Sequence, residues 1–161
     1  MKKLLLIGLV ALFAAAGCKK KDNKTPEEVY ADRLNGSWNV NQLTYTATVA
    51  VPPFGNIPIN GTANQAGSIT FNTPAKTASY DIRFLPSLGG LPIGVIDSVK
   101  FIGSGTFTNT TTSITLTEPG GTLTFNVIAN DENVQVVTTQ ANYMLDSLTV
   151  PVTMELRLQR R

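Results

Sequence analysis

Phe101–Phe107 reads Phe-Ile-Gly-Ser-Gly-Thr-Phe. With a period of two, Phe101, Gly103, Gly105 and Phe107 share one face, so the segment is a strand whose inner face is aromatic at both ends and bare between. Missing side chains on an inward face let a strand coil tightly, as closure of a sheet into a barrel requires. The same alternation extends outward from this stretch. Ala78, Tyr80, Ile82 and Phe84 point one way, and Ser79, Asp81 and Arg83 the other. Leu123, Phe125 and Val127 face in, as do Met154, Leu156 and Leu158. The pattern predicts eight strands, over 37–51, 59–72, 77–84, 94–108, 112–118, 122–130, 133–140 and 148–159. One apolar face per strand, short connections and no crossover helices mean an antiparallel sheet. The expected fold is all-β, an eight-stranded antiparallel up-and-down barrel. A two-sheet β-sandwich shares the alternation and is the alternative. The apolar parity of the first strand changes between Val40 and Leu43, which predicts a bulge there, and Pro151 predicts an interruption near the start of the last strand.

Ahead of the strands lies a short helix. Thr25 is an N-cap, Pro26 fits the first helical position, and Glu28 completes a capping box. The helix should reach Leu34, with Asn35-Gly36 as a left-handed stop. Further upstream, Lys2 and Lys3 precede an apolar run from Leu4 to Ala16. That run is too short for a spanning helix and has the length of a secretory leader. It ends in Ala15-Ala16-Gly17-Cys18, which resembles a bacterial lipobox. The resemblance implies cleavage before Cys18, a lipid on its sulfur, and a division into a 1–17 signal peptide, an 18–24 polar tether and a 25–161 barrel domain with its capping helix.

Composition narrows the chemistry. The chain has 13 Lys+Arg against 11 Asp+Glu; without Lys2 and Lys3 this is 11 against 11, so no nucleic-acid footprint remains. There is no histidine and a single cysteine, Cys18. Histidine triads, thiol nucleophiles, the usual zinc ligands and an internal disulfide are thereby removed. Asp81, Asp97, Glu118, Asp146 and Glu155 are the remaining acid–base candidates, and strand parity or loop position reads them as solvated surface carboxylates. No enzyme activity and no cofactor or metal is expected.

Leu34-Asn35-Gly36-Ser37-Trp38 resembles the Gly-x-Trp opening of lipocalins and the wider calycin group. More closely, the chain resembles the lipocalin-like domains of Bacteroidota lipoproteins: a lipobox, a polar tether, a helix, this opening, a meander and a basic end. The resemblance implies that a basic residue near the C-terminus packs across the opening Trp38. Arg160 has the inward parity of Leu156 and Leu158 and is the candidate. It also implies a bacterial cell envelope location, lipid-anchored with the outer membrane favoured, and a domain in the periplasm or at the surface. Asp97-Ser98-Val99 and Asp146-Ser147-Leu148 resemble the Asp-Ser/Thr-apolar motif of O-glycosylation in the same group, making Ser98 and Ser147 candidate acceptors.

In a meander, alternate connections share an end. The end bearing the helix, here the bottom, has polar loops. The top has VPPFGNIPI (Val51–Ile59), LPSLGGLPI (Leu85–Ile93) and a seventh loop with Tyr143, Met144 and Leu145. The first two align without gaps, pairing Phe54 with Leu88 and Ile57 with Leu91. Loop tips are normally polar, so this apolar rim is either a contact site or a lid over the barrel mouth. Two functions follow. The first is interaction with an envelope protein through the rim (Phe54, Ile57, Leu88, Leu91, Met144, Leu145). The alternative is a small neutral apolar ligand inside the barrel, with Tyr45 and Tyr80 as the only inward phenols. A connected void under the rim would favour the ligand, and a filled interior the interaction.

Overall fold

The computed structural model describes residues 24–51, 53, 55–86, 98–145 and 148–161. Helix α1 (Pro26–Leu34) is followed by β1 (Gly36–Val51), β2 (Gly55–Asn64), β3 (Gly67–Asn72), β4 (Thr77–Phe84), β5 (Val99–Asn109), β6 (Ser113–Glu118), β7 (Gly121–Asn130), β8 (Val134–Leu145) and β9 (Leu148–Arg160). Every neighbouring pair is antiparallel, and β1 pairs with β9 from Trp38↔Arg160 to Ala47↔Val152. That pairing closes the sheet, so the fold is a barrel and not a sandwich. β2 and β3 both pair with β1 and are halves of one bent strand, which leaves eight staves in up-and-down order. The bend falls at Gln65 and Gly67, both at positive φ.

β1 carries a register shift between Val40 and Gln42, where the apolar parity changes. Pro151 does not interrupt β9. It pairs with Asn142 of β8 and lies beyond Ala47↔Val152, so no β1 residue stands opposite to need its missing N–H. β8 runs to Leu145, five residues past the expected 140, so Tyr143 and Met144 are strand residues and not part of a loop. β2 likewise starts at Gly55, which places Ile57 on a strand. Asp97, Asp146, Ser147 and the start of the expected 94–108 strand lie outside the described residues.

α1 has both halves of the capping box, Glu28 N–H to Thr25 Oγ1 at 3.2 Å and Thr25 N–H to Glu28 Oε2 at 2.7 Å. Its end differs from the expectation: Asn35 is extended (φ −54°, ψ 128°), and Gly36 alone takes positive φ. The helix turns Tyr30, Ala31 and Leu34 into the bottom of the barrel. Asn109 Nδ2 donates to Glu27 O at 3.0 Å, fixing the start of the helix to the β5–β6 turn.

The core is the barrel interior. Trp38, Val40, Leu43, Ile69, Ile82, Ile114, Phe125, Met154 and Leu156 are buried there. Trp38, Tyr45, Phe71, Phe84, Phe107 and Phe125 lie in this core, and Tyr80 and Phe101 pack against it. Gly103 and Gly105 allow the close approach that the β5 sequence suggested. A Cβ on Gly105 would stand 2.0 Å from Thr117 O, and one on Gly103 2.2 Å from Glu118 Oε1 and 2.6 Å from the Tyr80 hydroxyl. The β6–β7 hairpin therefore leans over the bare middle of β5.

Candidate functional site

The two ends of the barrel are built differently. At the bottom, Trp38 is fully buried and donates its Nε1–H to Leu34 O at 2.8 Å. The Arg160 guanidinium lies over the indole, 4.6 Å from the ring centroid. It also donates to Glu132 O at 3.1 Å, to Asn35 O at 3.0 Å and to Arg33 O. A planar fork with several N–H groups can meet three carbonyls at once, and two of these belong to the C-terminal end of α1, where positive charge is favoured. Beside this plug, the Tyr30 hydroxyl donates to the fully buried Gln135, whose amide donates to Asn130 Oδ1 and Asp131 O. Burial pushes the Tyr30 phenol well above its ordinary pKa. This polar latch was not anticipated. Its trace in the sequence is the spacing of Tyr30 and Leu34 on one helix face and the inward parity of Gln135 with Val137.

In the upper half, Tyr45 stacks against Phe84 (centroids 4.6 Å), Phe84 against Phe101 (6.4 Å), and Phe101 meets Tyr143 edge-on at 6.3 Å. β5 pairs with β6 only over Thr106–Asn109, so the β6–β7 hairpin is low. The Phe101–Tyr143 contact closes the wall above it. Beneath the mouth lies an apolar cavity of about 40 Å³, lined by Tyr45, Ile59, Phe84, Val99, Tyr143 and Val150 among others. That is room for one water or methyl group, whereas ligand pockets measure roughly 300–1,000 Å³. Larger hollows lie outside the barrel interior, on the outer wall and beside α1. One of about 660 Å³ is lined by Asn39, Asn41, Gln65, Ser68, Asp81 and Arg83, where the β1 bulge faces the β2–β3 bend.

Glu118 is not the solvated surface carboxylate that its place beside a turn suggested. Glu118 follows Ile114 and Leu116 on the inward face and reaches over Gly103, where its Oε2 accepts from the Tyr80 hydroxyl at 3.2 Å. Its Oε1 is buried with no hydrogen-bond partner among the described residues. Burial, then the Glu118 charge and hydrogen bond, push the Tyr80 phenol up to about 12. Tyr45 and Tyr80 are also not the only inward phenols, since Tyr143 lines the cavity and Tyr30 enters from the helix. Asp81 is half-buried on the outer wall and forms a two-pronged pair with Arg83 at 2.6 and 2.8 Å, which lowers the pKa of its carboxyl. Glu155 is exposed on β9. Among the described residues, no three His, Cys, Asp or Glu side chains gather where a metal could bind.

Of the rim residues, Ile57 and Met144 fall at the same end of the barrel. Ile57 has inward parity and is half-buried, and Met144 is 58% exposed on the outer wall. Two further apolar residues join them: Leu85, the first residue of the third loop, 72% exposed, and Leu148, at the start of β9, 46% exposed. Phe54, Leu88, Leu91 and Cys18 lie outside the described residues, as does the side chain of Leu145. Ser98 is half-buried, one residue before β5.

Among solved structures, the chain is similar to the bovine lipocalin allergen Bos d 2, at 16% identity over 78% of this chain and 73% of that one, with a TM-score of 0.33. The strand register, and not this likeness, establishes the barrel. No protein-family model matches the chain. No curated protein matches it either.

Proposed function

We propose that the chain is a lipid-anchored, non-catalytic barrel of the bacterial envelope that works by docking a protein partner on its apolar rim. The observation that carries this reading is the packed interior: the apolar hollow beneath the mouth holds about 40 Å³, while Leu85, Met144 and Leu148 stand exposed at the same end. A barrel with that packing offers surface and not volume. The lipobox at Cys18 supplies the anchor, with the outer membrane as its expected site. Ser98 and Ser147 are the expected glycan acceptors, to be tested by glycopeptide mass spectrometry of the native protein. A non-catalytic role is supported by the carboxylates: Asp81 is engaged by Arg83, and Glu118 by Tyr80.

The test is the pair Leu85→Asp with Met144→Asp. The double variant should fold with an unchanged melting temperature and lose its partner from native envelope fractions. Undiminished co-purification, or a large loss of stability, overturns the reading. A second reading rests on the wholly apolar lining of the small cavity: a neutral apolar molecule could enter if the Phe101–Tyr143 contact opened. Saturable uptake of such a probe would favour it.

A further inference from the structure

The start of the helix and the exposed apolar residues lie at opposite ends of the barrel, and this limits what the rim can touch. The start of α1 is held at the bottom by the hydrogen bond from Asn109 to Glu27, so the chain enters from that end. Leu85, Met144 and Leu148 are at the top. Cys18 to Lys24 is the chain between the lipid site and the helix, and at 3.3–3.6 Å per residue it reaches at most about 25 Å. β9 has 13 residues and spans both ends. At about 3.3 Å per residue and a strand tilt near 40°, the barrel is about 30 Å tall. To stand rim-down on its own bilayer, the protein would have to lift its bottom by that full height, beyond the reach of the tether.

We infer that the rim faces away from the bilayer that holds Cys18 and docks a protein standing in the aqueous space, through an apolar and uncharged surface of that partner. The inference rests on the anchoring proposed above. The same geometry speaks against two other occupants: the anchoring bilayer lies out of reach of a downturned rim, and two upright copies in one leaflet point their rims in parallel. The chemistry around Met144 agrees. Gln140, Asn142, Leu148, Thr149 and Pro151 are its exposed neighbours on β8 and β9, and none is charged; Asp146, between the two strands in sequence, lies outside the described residues. A headgroup-binding surface of an anionic membrane is built from Lys and Arg, whereas the centre of a protein interface is depleted of charge and enriched in Met.

The experiment uses the full chain, expressed in a lipoprotein-processing host and reconstituted in liposomes of neutral and anionic phospholipid carrying a headgroup acceptor dye. Intact mass first reads acylation of Cys18. A donor dye is then placed on Thr111→Cys, in the β5–β6 turn, or on Met144→Cys, at the rim. Energy transfer should be strong from 111 and weak from 144, whatever the anionic content. A photoreactive residue at 144 in native membranes should then give a discrete protein adduct that disappears with Leu85→Asp, and no lipid adduct. Equal or reversed transfer, a lipid adduct at 144, a head-to-head self-adduct, or no protein adduct overturns the inference while leaving anchoring intact. A chain without an acyl mass at Cys18 overturns the anchoring reading, and the inference with it.

Discussion

Replacing Arg160 with alanine removes the tie between the last strand, the helix and the bottom of the barrel. The side chain contributes a cation–π contact with Trp38 at 4.6 Å and hydrogen bonds to Glu132 O, Asn35 O and Arg33 O. A cation–π contact is worth about 0.5–2 kcal/mol and a hydrogen bond to a charged group about 1.5–3 kcal/mol. The guanidinium is partly solvated, so the low ends apply and the bonds overlap in what they hold; the expected loss is about 2–4 kcal/mol. For a domain of this size, each kcal/mol moves the melting temperature by about 3 °C, giving a drop of roughly 6–12 °C. Far-UV circular dichroism reads the global transition. Trp38 is the only tryptophan, so its fluorescence reports the same place directly. Arg160→Lys should recover less than half of the loss, because an ammonium cannot address three carbonyls and a ring face together. A drop under about 1 °C in Arg160→Ala, with native Trp38 emission, would show that the bottom is held by packing alone and refute the reasoning.

Gly105→Ala should destabilise the barrel more than Gly103→Ala, since the first Cβ meets the Thr117 backbone oxygen and the second only the ends of the Glu118 and Tyr80 side chains; urea midpoints for the pair decide it, and equal losses would contradict the packing described. Tyr80 holds its proton more tightly folded than unfolded, so the stability it contributes is intact below about pH 10 and is lost as pH rises toward about 12. Tyr30 acts in the same direction. Urea midpoints should therefore fall from pH 10 upward, less steeply in Tyr80→Phe. An identical slope in that variant would remove Tyr80 from the account. Leu85→Asp and Met144→Asp should each change stability by no more than about 0.5 kcal/mol, as exposed sites do. Cys18→Ser should abolish acylation by intact mass, and an acylated variant would end the anchoring proposal.

The barrel was legible because its strands obey a period of two over long stretches, and a barrel interior enforces that period on every stave. Val40 and Leu43 gave away the β1 bulge by their parity alone. Features set by neighbours were not legible. Pro151 reads as a breaker, yet it sits where β9 has outrun β1 and its N–H has no role. Tyr143-Met144-Leu145 reads as an apolar loop because its strand continues past the expected end, and only pairing with Val150, Thr149 and Leu148 shows otherwise. Glu118 reads as a turn carboxylate. It points inward because Gly103, fifteen residues earlier on β5, leaves the space for it. Of the rim, the sequence identified Ile57 and Met144 and put Leu85 in the third loop without singling it out, whereas Leu148 was read only as the start of the last strand, and its exposure is set by its place at the hairpin end.

A barrel with so little room inside should act through its surface. The direct measurement is a fluorescence titration of the chain lacking residues 1–18 with 1-N-phenylnaphthylamine, a small neutral apolar probe. With about 40 Å³ beneath the mouth, the account predicts no saturable enhancement and no rise in melting temperature with probe. A saturable one-to-one signal that is lost when Ala47→Phe fills the cavity would contradict it, and would show a barrel that opens to hold a ligand.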